Sequence, residues 1–208
     1  FNERIRINSH LISNKYLSEL LEECEKKNNG NPITFFEITT AAAFLAFSRK
    51  KSDVILLETG LGGRFDATNV IKKPVCCIIT PISMDHMNFL GNNIEKISYE
   101  KVGILKSNSL IILSKQEQSV RRIIRKEVNK KNAIIFEEGK DWKVQKKKKS
   151  FILNFQNQTY EFPLPNLYGD HQIDNAATAV SASLAIKNFD VKEEKIANAI
   201  RNVCWPAR

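Results

Sequence analysis

Apolar residues recur at helical intervals near the start of the chain. Between Leu11 and Lys27 they fall at every third or fourth position, and the turn-rich segment 28–32 follows, which predicts an amphipathic helix. A second helix is predicted from Thr34, because the residues from Thr34 to Glu37 form a capping box whose two end side chains can satisfy each other's backbone amides. Its apolar face is predicted to contain Phe36, Ala43, Phe44 and Phe47.

Short continuous apolar runs follow, of the kind found in parallel strands that are covered on both faces. Four strands are predicted from them: 54–57, 75–79, 110–113 and 133–136. Helices predicted at 94–106 and 116–131 alternate with these strands. The fold class is therefore predicted to be α/β, with a doubly wound, mostly parallel sheet flanked by helices.

The pattern changes after Glu138 to short segments separated by turn residues. Antiparallel strands are predicted at 142–145, 151–155 and 159–162, which gives a β-rich subregion at about 139–165. Helical periodicity then returns at 170–187 and 192–201. The length of 208 residues predicts one main domain, with room for an appendage.

Composition narrows the class of protein only slightly. The net charge is +9, but the lysine run 146–149 has no interleaved aromatic residues, so we interpret it as solvated surface and not as a nucleic-acid site. No apolar stretch approaches the roughly 18 residues of a membrane span. The four cysteines lack C-x-x-C spacing, which favours free thiols in a reducing cytoplasm, and the adjacent Cys76 and Cys77 should point to opposite faces of their strand.

Chemically active side chains follow two of the predicted strands. Glu58 ends the first strand and leads into a glycine-rich segment, and Asp85 and His86 come shortly after the second. Because parallel strands end at one edge of a sheet, Glu58 and His86 could converge on a metal ion beside a nucleotide. Taken singly, Glu58 suits a solvated carboxylate and His86 a hydrogen-bonded loop residue, so these residues alone predict an anion or metal site without naming it.

A family resemblance makes the prediction specific. The segment from Glu58 to Asn69 reads ETGLGGRFDATN and closely resembles the signature of folylpolyglutamate synthases and dihydrofolate synthases, a branch of the Mur ligase family. Further matching blocks follow in the family's order: Met84-Asp85-His86, Glu100-Lys101-Val102-Gly103-Ile104, Gly169-Asp170-His171-Gln172, Asn175-Ala176-Ala177 and Trp205-Pro206-Ala207-Arg208. The resemblance covers nearly the whole chain and implies the family's central ATP-binding domain over residues 1–208.

This resemblance implies an ATP-dependent carboxylate–amine ligase. Such enzymes phosphorylate a carboxylate and let an amino group attack the acyl phosphate. The implied substrates are ATP, L-glutamate and either dihydropteroate or the glutamyl tail of a folate. The implied full-length protein is a cytoplasmic monomer that binds these small molecules and neither nucleic acid nor membrane.

The resemblance also assigns the metal and catalytic residues. Glu58 and His86 match the family's Mg²⁺ ligands, and His86 is counted with the catalytic residues as well. Lys101 matches a lysine that is carbamylated in relatives, which turns a cation into an anion. Without the family match, Lys101 would be interpreted as a surface lysine.

Four further positions match ligand contacts of the family. Asn175 and Arg208 correspond to nucleotide contacts, and Thr34 and Phe65 lie where relatives bind the pteroyl group. Alternatives remain for each of them. Asn175 could be an ordinary helix residue, Arg208 a chain-end cation, Phe65 a structural residue and Thr34 a helix cap alone.

Two parts of the family pattern lie outside these 208 residues. No G-x-x-x-x-G-K-[ST] phosphate-binding loop is present, and neither is the C-terminal glutamate-binding domain. The chain is therefore expected to be inactive alone, as a fragment of an enzyme or a truncated gene product. The alternative is a basic, non-catalytic binding module that engages nucleic acid through 146–149 and Arg121, Arg122 and Arg125.

Overall fold

A computed structural model describes residues 1–205 and divides the chain into two compact units. The first unit contains residues 1–61 and 65–70, and the second contains residues 62–64 and the chain from Ile71 onward. Buried apolar residues form one cluster in the first unit and two in the second. The assignment of residues 1–208 to one main domain stays a prediction.

The first unit is mainly helical. A 3₁₀ turn at Asn2–Arg4 and a two-stranded hairpin, β1 (Arg6–Ile7) and β2 (His10–Leu11), precede α1 (Asn14–Asn28) and α2 (Phe35–Ser48). Both predicted helices are confirmed, whereas the hairpin was not predicted.

Helix α2 packs in the first unit through part of its predicted apolar face. Thr39, Ala42 and Ala46 are fully buried, whereas Phe36, Ala43, Phe44 and Phe47 of the predicted face are partly buried, and Ala43 and Phe47 pack against the core cluster. The fully buried residues are small or medium-sized, which lets the backbones of α1 and α2 approach closely. The bulky aromatic side chains then lie at the margin of this contact.

The predicted strand at 54–57 is wrong. The four side chains are exposed, by 55% at Val54, 46% at Ile55, 88% at Leu56 and 39% at Leu57, and the run pairs with no strand of the described chain. A continuous apolar run shows that a segment can be buried, but a strand also needs a neighbouring backbone for its hydrogen bonds. Glu58 therefore follows a segment without regular secondary structure and not a strand.

The second unit contains the predicted parallel sheet. Strands β3 (Cys76–Ile79), β4 (Leu110–Leu113) and β5 (Ile134–Glu137) lie in the order β3-β4-β5, all parallel. The helices of this unit are α3 (Met87–Leu90), α4 (Ile94–Lys101) with a 3₁₀ turn at Val102–Ile104, α5 (Gln118–Lys130), α6 (His171–Ala185) and α7 (Glu193–Asn202). The predicted α/β class is confirmed.

The β-rich subregion is also confirmed. Strands β6 (Trp142–Lys146), β7 (Ser150–Phe155) and β8 (Gln158–Pro163) form an antiparallel meander. Trp142, Phe151 and Phe162 of this meander are buried together with residues of α6 and α7. None of the helices in the described part of the chain has the length and hydrophobicity that crossing a bilayer demands.

The parallel sheet separates the two hydrophobic clusters of the second unit. Cys77 and Ile111 belong to the cluster that includes α4 and α5, whereas Cys76 and Ile112 pack in the cluster that includes the meander and α6. The opposite orientation predicted for the two cysteines is thus confirmed. Burial raises the pKa of the Cys76 thiol to about 12 and also raises that of Cys77, so both remain protonated at neutral pH.

A buried carboxylate at the end of β5 attaches α5 to the sheet. The Glu137 side chain is 2% exposed, and Arg125 donates to its Oε2 from Nε at 3.0 Å and from Nη2 at 2.7 Å. Arg121 Nε lies 2.7 Å from Oε1, as a charge contact without hydrogen-bond geometry. Both arginines are therefore engaged within the fold.

Candidate functional site

The carboxyl edge of the parallel sheet is the place where an α/β fold binds ligands. The strands stay in register up to this edge, where Ile79 pairs with Leu113 and Leu113 pairs with Glu137. Ser114, just past β4, extends the ladder by donating from its amide to the Ile79 carbonyl at 3.0 Å. The loop that leaves this edge after β3 carries His86, one of the predicted site residues.

Asp85 and His86 lie on the loop that follows β3. His86 adopts a left-handed backbone conformation (φ 48°) immediately before α3, and its amide donates to Asp85 Oδ1 at 2.8 Å. Asp85 Oδ2 lies 3.4 Å from His86 Nε2, and the two side chains are 60% and 50% exposed. His86, one of the two predicted metal ligands, is therefore accessible and is locally ordered by its contacts with Asp85.

The glycine-rich segment packs against the end of α4 within the second unit. A Cβ on Gly63 would lie 2.9 Å from the Lys101 carbonyl oxygen and 3.0 Å from that of Glu100, so only glycine allows this approach without a backbone shift. The next residue continues the contact, because the Arg64 amide donates to the Glu100 carbonyl at 2.9 Å. The Arg64 guanidinium lies 5.0 Å from the centre of the Tyr99 ring.

These contacts fix the backbone at Lys101. Lys101 is the last residue of α4, is partly buried and leads directly into the 3₁₀ turn. Gly103 in that turn is equally constrained, since its added Cβ would lie 2.5 Å from the Arg64 Cα. The backbone around Lys101, the residue predicted to be carbamylated, is thus constrained by the close contacts of Gly63 and Gly103.

The loop from Glu58 to Thr68 is organised by Asp66 within the first unit. Asp66 Oδ2 accepts from the amides of Gly60 at 3.0 Å and Leu61 at 2.9 Å, and Oδ1 accepts from the Thr68 amide at 2.9 Å. Phe65 at the tip of this loop is 80% exposed, and Glu58 at its start is exposed. An exposed ring on a loop that is held by hydrogen bonds suits contact with a flat ligand, as predicted for Phe65.

Asn175 lies in the second turn of α6. Its side-chain amide donates to Gln172 Oε1 at 3.1 Å, and the Gln172 amide nitrogen lies 3.0 Å from His171 Nε2. Asn175 is exposed, so its side chain remains accessible to a ligand. Arg208, the other predicted nucleotide contact, lies outside the described residues.

Helix α6 is tied to the same sheet edge by a buried hydroxyl pair. Ser114 Oγ and Thr178 Oγ1 are 2.9 Å apart, and Thr178 Oγ1 donates to the Asp174 carbonyl at 2.7 Å. Burial raises the pKa of the nearby Glu138 carboxyl, and the charge of Asp174 acts in the same direction. The edge that carries the Asp85–His86 loop is therefore also joined to the helix that carries Asn175.

Thr34 has a structural role that the sequence already indicated. Its Oγ1 accepts from the Glu37 amide at 3.2 Å, and Glu37 Oε2 accepts from the Thr34 amide at 2.8 Å and from the Thr34 hydroxyl at 2.6 Å. The reciprocal pair completes the predicted capping box at the start of α2. The Thr34 hydroxyl is thus engaged in a helix cap, and the pteroyl contact stays a prediction.

Removing this cap should destabilise the chain. We expect Thr34→Ala to lower the free energy of unfolding by about 1 kcal/mol, and Thr34→Ser to retain most of it, because serine also accepts from the Glu37 amide. The Thr34 hydrogen bonds lower the pKa of the Glu37 carboxyl, so its contribution is present above the ordinary value of 4.5 and is lost as the pH falls below it. Urea unfolding of both variants at neutral and acidic pH tests this. An unchanged unfolding free energy in Thr34→Ala would mean that the cap contributes nothing.

Among residues 1–205, no cluster of three or more histidine, cysteine or acidic side chains is arranged around a common point. The donors present still suit one class of metal. Mg²⁺ is commonly bound through one or two carboxylates while phosphates and water complete its shell. The exposed carboxylates of Glu58 and Asp85 are of the type used in that mode, and the exposed His86 would add a nitrogen ligand. Glu58 belongs to the first unit and His86 to the second, so their convergence stays a prediction.

Several residues that organise these loops received no role from the sequence. Asp66 and Arg64 lay inside the quoted signature, and the glycine spacing around them was the available signal. Gln116 gave no signal, because a glutamine just past a strand is ordinary loop sequence. It is nevertheless buried and bonded to the loop that leads to His86.

Comparison with known proteins identifies the family. The family model of the Mur ligase middle domain matches residues 9–183, and the chain belongs to this family. It is 34% identical over 228 residues to the dihydrofolate synthase/folylpolyglutamate synthase of Bacillus subtilis, a match that covers 100% of this chain and 52% of that protein. It is 38% identical over 178 residues to a probable dihydrofolate synthetase of Schizosaccharomyces pombe, covering 84% of this chain and 42% of that protein.

Solved structures show the same likeness. Escherichia coli FolC in complex with DHPP and ADP matches with a TM-score of 0.90 and 29% identity, over 100% of this chain and 49% of that one. A bifunctional folylpolyglutamate synthase/dihydrofolate synthase with Mn, AMPPNP and L-glutamate bound matches with a TM-score of 0.85 and 27% identity, over 99% of this chain and 48% of that one. The chain spans about half the length of the relatives it matches.

Proposed function

We propose that the complete protein is an ATP-dependent ligase that adds L-glutamate to dihydropteroate, to the glutamyl tail of folates, or to both. The observation that carries this proposal is the match over the whole chain to relatives with these activities, together with the chain's own accessible groups at the carboxyl edge of the sheet. The reaction transfers the γ-phosphoryl group of ATP to the acceptor carboxylate. The glutamate nitrogen then attacks the acyl carbon, phosphate leaves and the nitrogen loses a proton.

The chain's own residues have distinct tasks in this scheme. Glu58 and His86 would hold Mg²⁺, which offsets negative charge on the phosphates when it is bound. Lys101, fixed between the Gly63 and Gly103 contacts, would present a carbamate as a further anion next to the metal. The Asn175 amide would orient the nucleotide, and the exposed Phe65 ring would pack against the pteroyl group.

We further infer that residues 1–208 are the central ATP-binding domain of a longer protein. The half-length match supports this, because the relatives carry additional sequence of similar extent. The four cysteines are all unpaired, which suits a reducing cytoplasm. We propose that the complete protein acts there as a monomer.

The alternative of a basic binding module has less support. Arg121 and Arg125 contact the buried Glu137, Lys146 pairs with Asp174 at 3.0 Å, and Lys147 lies 3.6 Å from Glu161. Cations that are paired within the fold contribute less to a field that attracts nucleic acid.

The complete gene product tests the ligase proposal directly. We expect ADP formation that requires L-glutamate, a divalent metal ion and either dihydropteroate or a reduced folate, with one labelled glutamate incorporated per ADP. Assays with each acceptor alone separate the two activities. If ADP formation is independent of glutamate, or if the protein instead binds oligonucleotides with an affinity that falls steeply with salt, the proposal is wrong.

A further inference from the structure

The side chain of Gln116 joins two loops at the carboxyl edge of the parallel sheet. Gln116 is 9% exposed and lies between β4 and α5. Its Nε2 donates to the Thr80 carbonyl at 2.8 Å, and its Oε1 accepts from the Ile82 amide at 3.0 Å. Both polar ends of this buried amide are therefore satisfied by the backbone that follows β3.

These two bonds reproduce the pairing pattern of a parallel strand. In a parallel ladder, the backbone of one residue donates to the carbonyl before its partner and accepts from the amide after it. Gln116 does the same around Pro81, through its side chain instead of its backbone. Proline fits this central position because the central residue donates no hydrogen bond in this pattern, and proline has no amide hydrogen. The sheet is thus extended after the backbone of β4 has turned away toward α5.

This extension determines where the next residues start. Ile82 is 6% exposed and packs in the hydrophobic cluster with α4 and α5, so the loop is anchored at Ile82 by its side chain and by its amide. Residues 83–86 that follow are exposed. Gln116 therefore helps to anchor Ile82, which lies four residues before His86, and the position of His86 depends on this anchor.

We propose that Gln116 is a positioning residue that fixes the loop 80–86 and so sets the affinity of the site for its metal ion. Gln116 has no contact with ligand in this role and acts through Thr80 and Ile82. This inference rests on the proposed function for its effect on metal binding. The extension of the sheet itself is independent of that function.

Two variants of the complete protein separate positioning from general stability. Gln116→Met keeps the length of the side chain and removes both hydrogen bonds, and Gln116→Glu keeps the acceptor for Ile82 and removes the donor for Thr80. Ser109→Ala is the matched control. Ser109 is also buried, lies just before β4 at the opposite edge of the sheet, and donates to the Lys106 carbonyl at 2.7 Å.

The first measurement is hydrogen exchange of the segment 80–90, which needs no catalytic activity. We expect faster exchange of the Ile82 amide in Gln116→Met than in the wild type, an intermediate rate in Gln116→Glu, and an unchanged rate in Ser109→Ala. Unchanged exchange in both Gln116 variants would overturn the positioning role. If Gln116→Met fails to fold, Gln116→Glu decides the same question, since it keeps an acceptor for Ile82 and places a carboxylate oxygen against the Thr80 carbonyl in place of the donor.

The second measurement is the Mg²⁺ concentration that gives half-maximal turnover. Residues that orient metal ligands typically change affinity by about 10- to 100-fold when they are replaced, so we expect an increase of at least about tenfold in Gln116→Met. Ser109→Ala should leave this concentration unchanged while lowering the melting temperature. Faster exchange with unchanged metal dependence would limit Gln116 to a structural role. A wild-type protein with no metal-dependent turnover would instead refute the proposed function and leave the exchange result standing.

Discussion

Turnover of the complete protein is expected to fall about a hundredfold or more when Glu58 is replaced by glutamine. The replacement keeps the size of the side chain and removes the charge that would hold Mg²⁺ next to the phosphates. Loss of one group that stabilises developing charge typically costs about 10² to 10³ in turnover. His86→Ala is expected to have an effect of the same order, and the activity of both variants should be titrated with Mg²⁺ as well as measured at saturation.

A neighbouring carboxylate serves as the control for this experiment. Asp53 is exposed and lies in the same irregular segment, five residues before Glu58, so Asp53→Asn removes a comparable charge outside the proposed site. Its turnover should equal that of the wild type. Near-normal turnover in both Glu58→Gln and His86→Ala would refute their assignment as metal ligands.

The second large effect is expected at Gly63. An alanine methyl group would meet the carbonyl oxygens of Glu100 and Lys101 at about 3 Å and the Ile104 side chain at 2.8 Å. Because two of these neighbours are backbone atoms, the end of α4 must shift, at a cost of about 1–3 kcal/mol in unfolding free energy. A displacement of Lys101 by about 1 Å can lower turnover by up to about 10². Urea unfolding and steady-state kinetics of Gly63→Ala measure the two effects.

Gly30→Ala is a control that strains the backbone but brings the added methyl group into contact with no other atom. Gly30 has a φ of +74° and no neighbouring atom within 4 Å of an added Cβ. We expect it to lose about 1–2 kcal/mol of stability through its left-handed backbone and to retain normal turnover. If Gly63→Ala resembles Gly30→Ala in both measurements, the Gly63 contact has no special importance for Lys101.

Hydrophobic patterning predicted most of the second unit because its strands find their hydrogen-bonding partners within the same unit. Strands β3, β4 and β5 pair as their sequences indicate, although Ile78 of β3 and Ile134 of β5 are exposed, and the β6–β8 meander follows its turn residues. The run at 54–57 failed because apolarity describes a side chain, whereas strand formation also depends on a neighbouring backbone. The apolar face predicted for α2 is only partly buried, because the fully buried positions of this helix are the smaller residues Thr39, Ala42 and Ala46.

The candidate site, too, could be predicted only in part from the sequence. Asp85, His86 and the glycine segment could be found from sequence, since residue type and position after a strand carry chemical meaning. The roles of Asp66 and Gln116 could not, because they arise from hydrogen bonds across 5–6 residues in one case and 34–36 in the other. Such bonds become visible only when the backbone path is known. The meeting of Glu58 with His86 stays a prediction.

The exposed run from Val54 to Leu57 has a consequence for how copies of this chain behave together. Four consecutive exposed aliphatic side chains form an apolar surface that favours contact between copies of this chain. Lys50, Lys51 and Asp53 stand immediately before the run and are exposed, where charged flanking residues oppose such contact. We therefore expect added salt, which screens the charges of these flanking residues, to promote self-association of this chain.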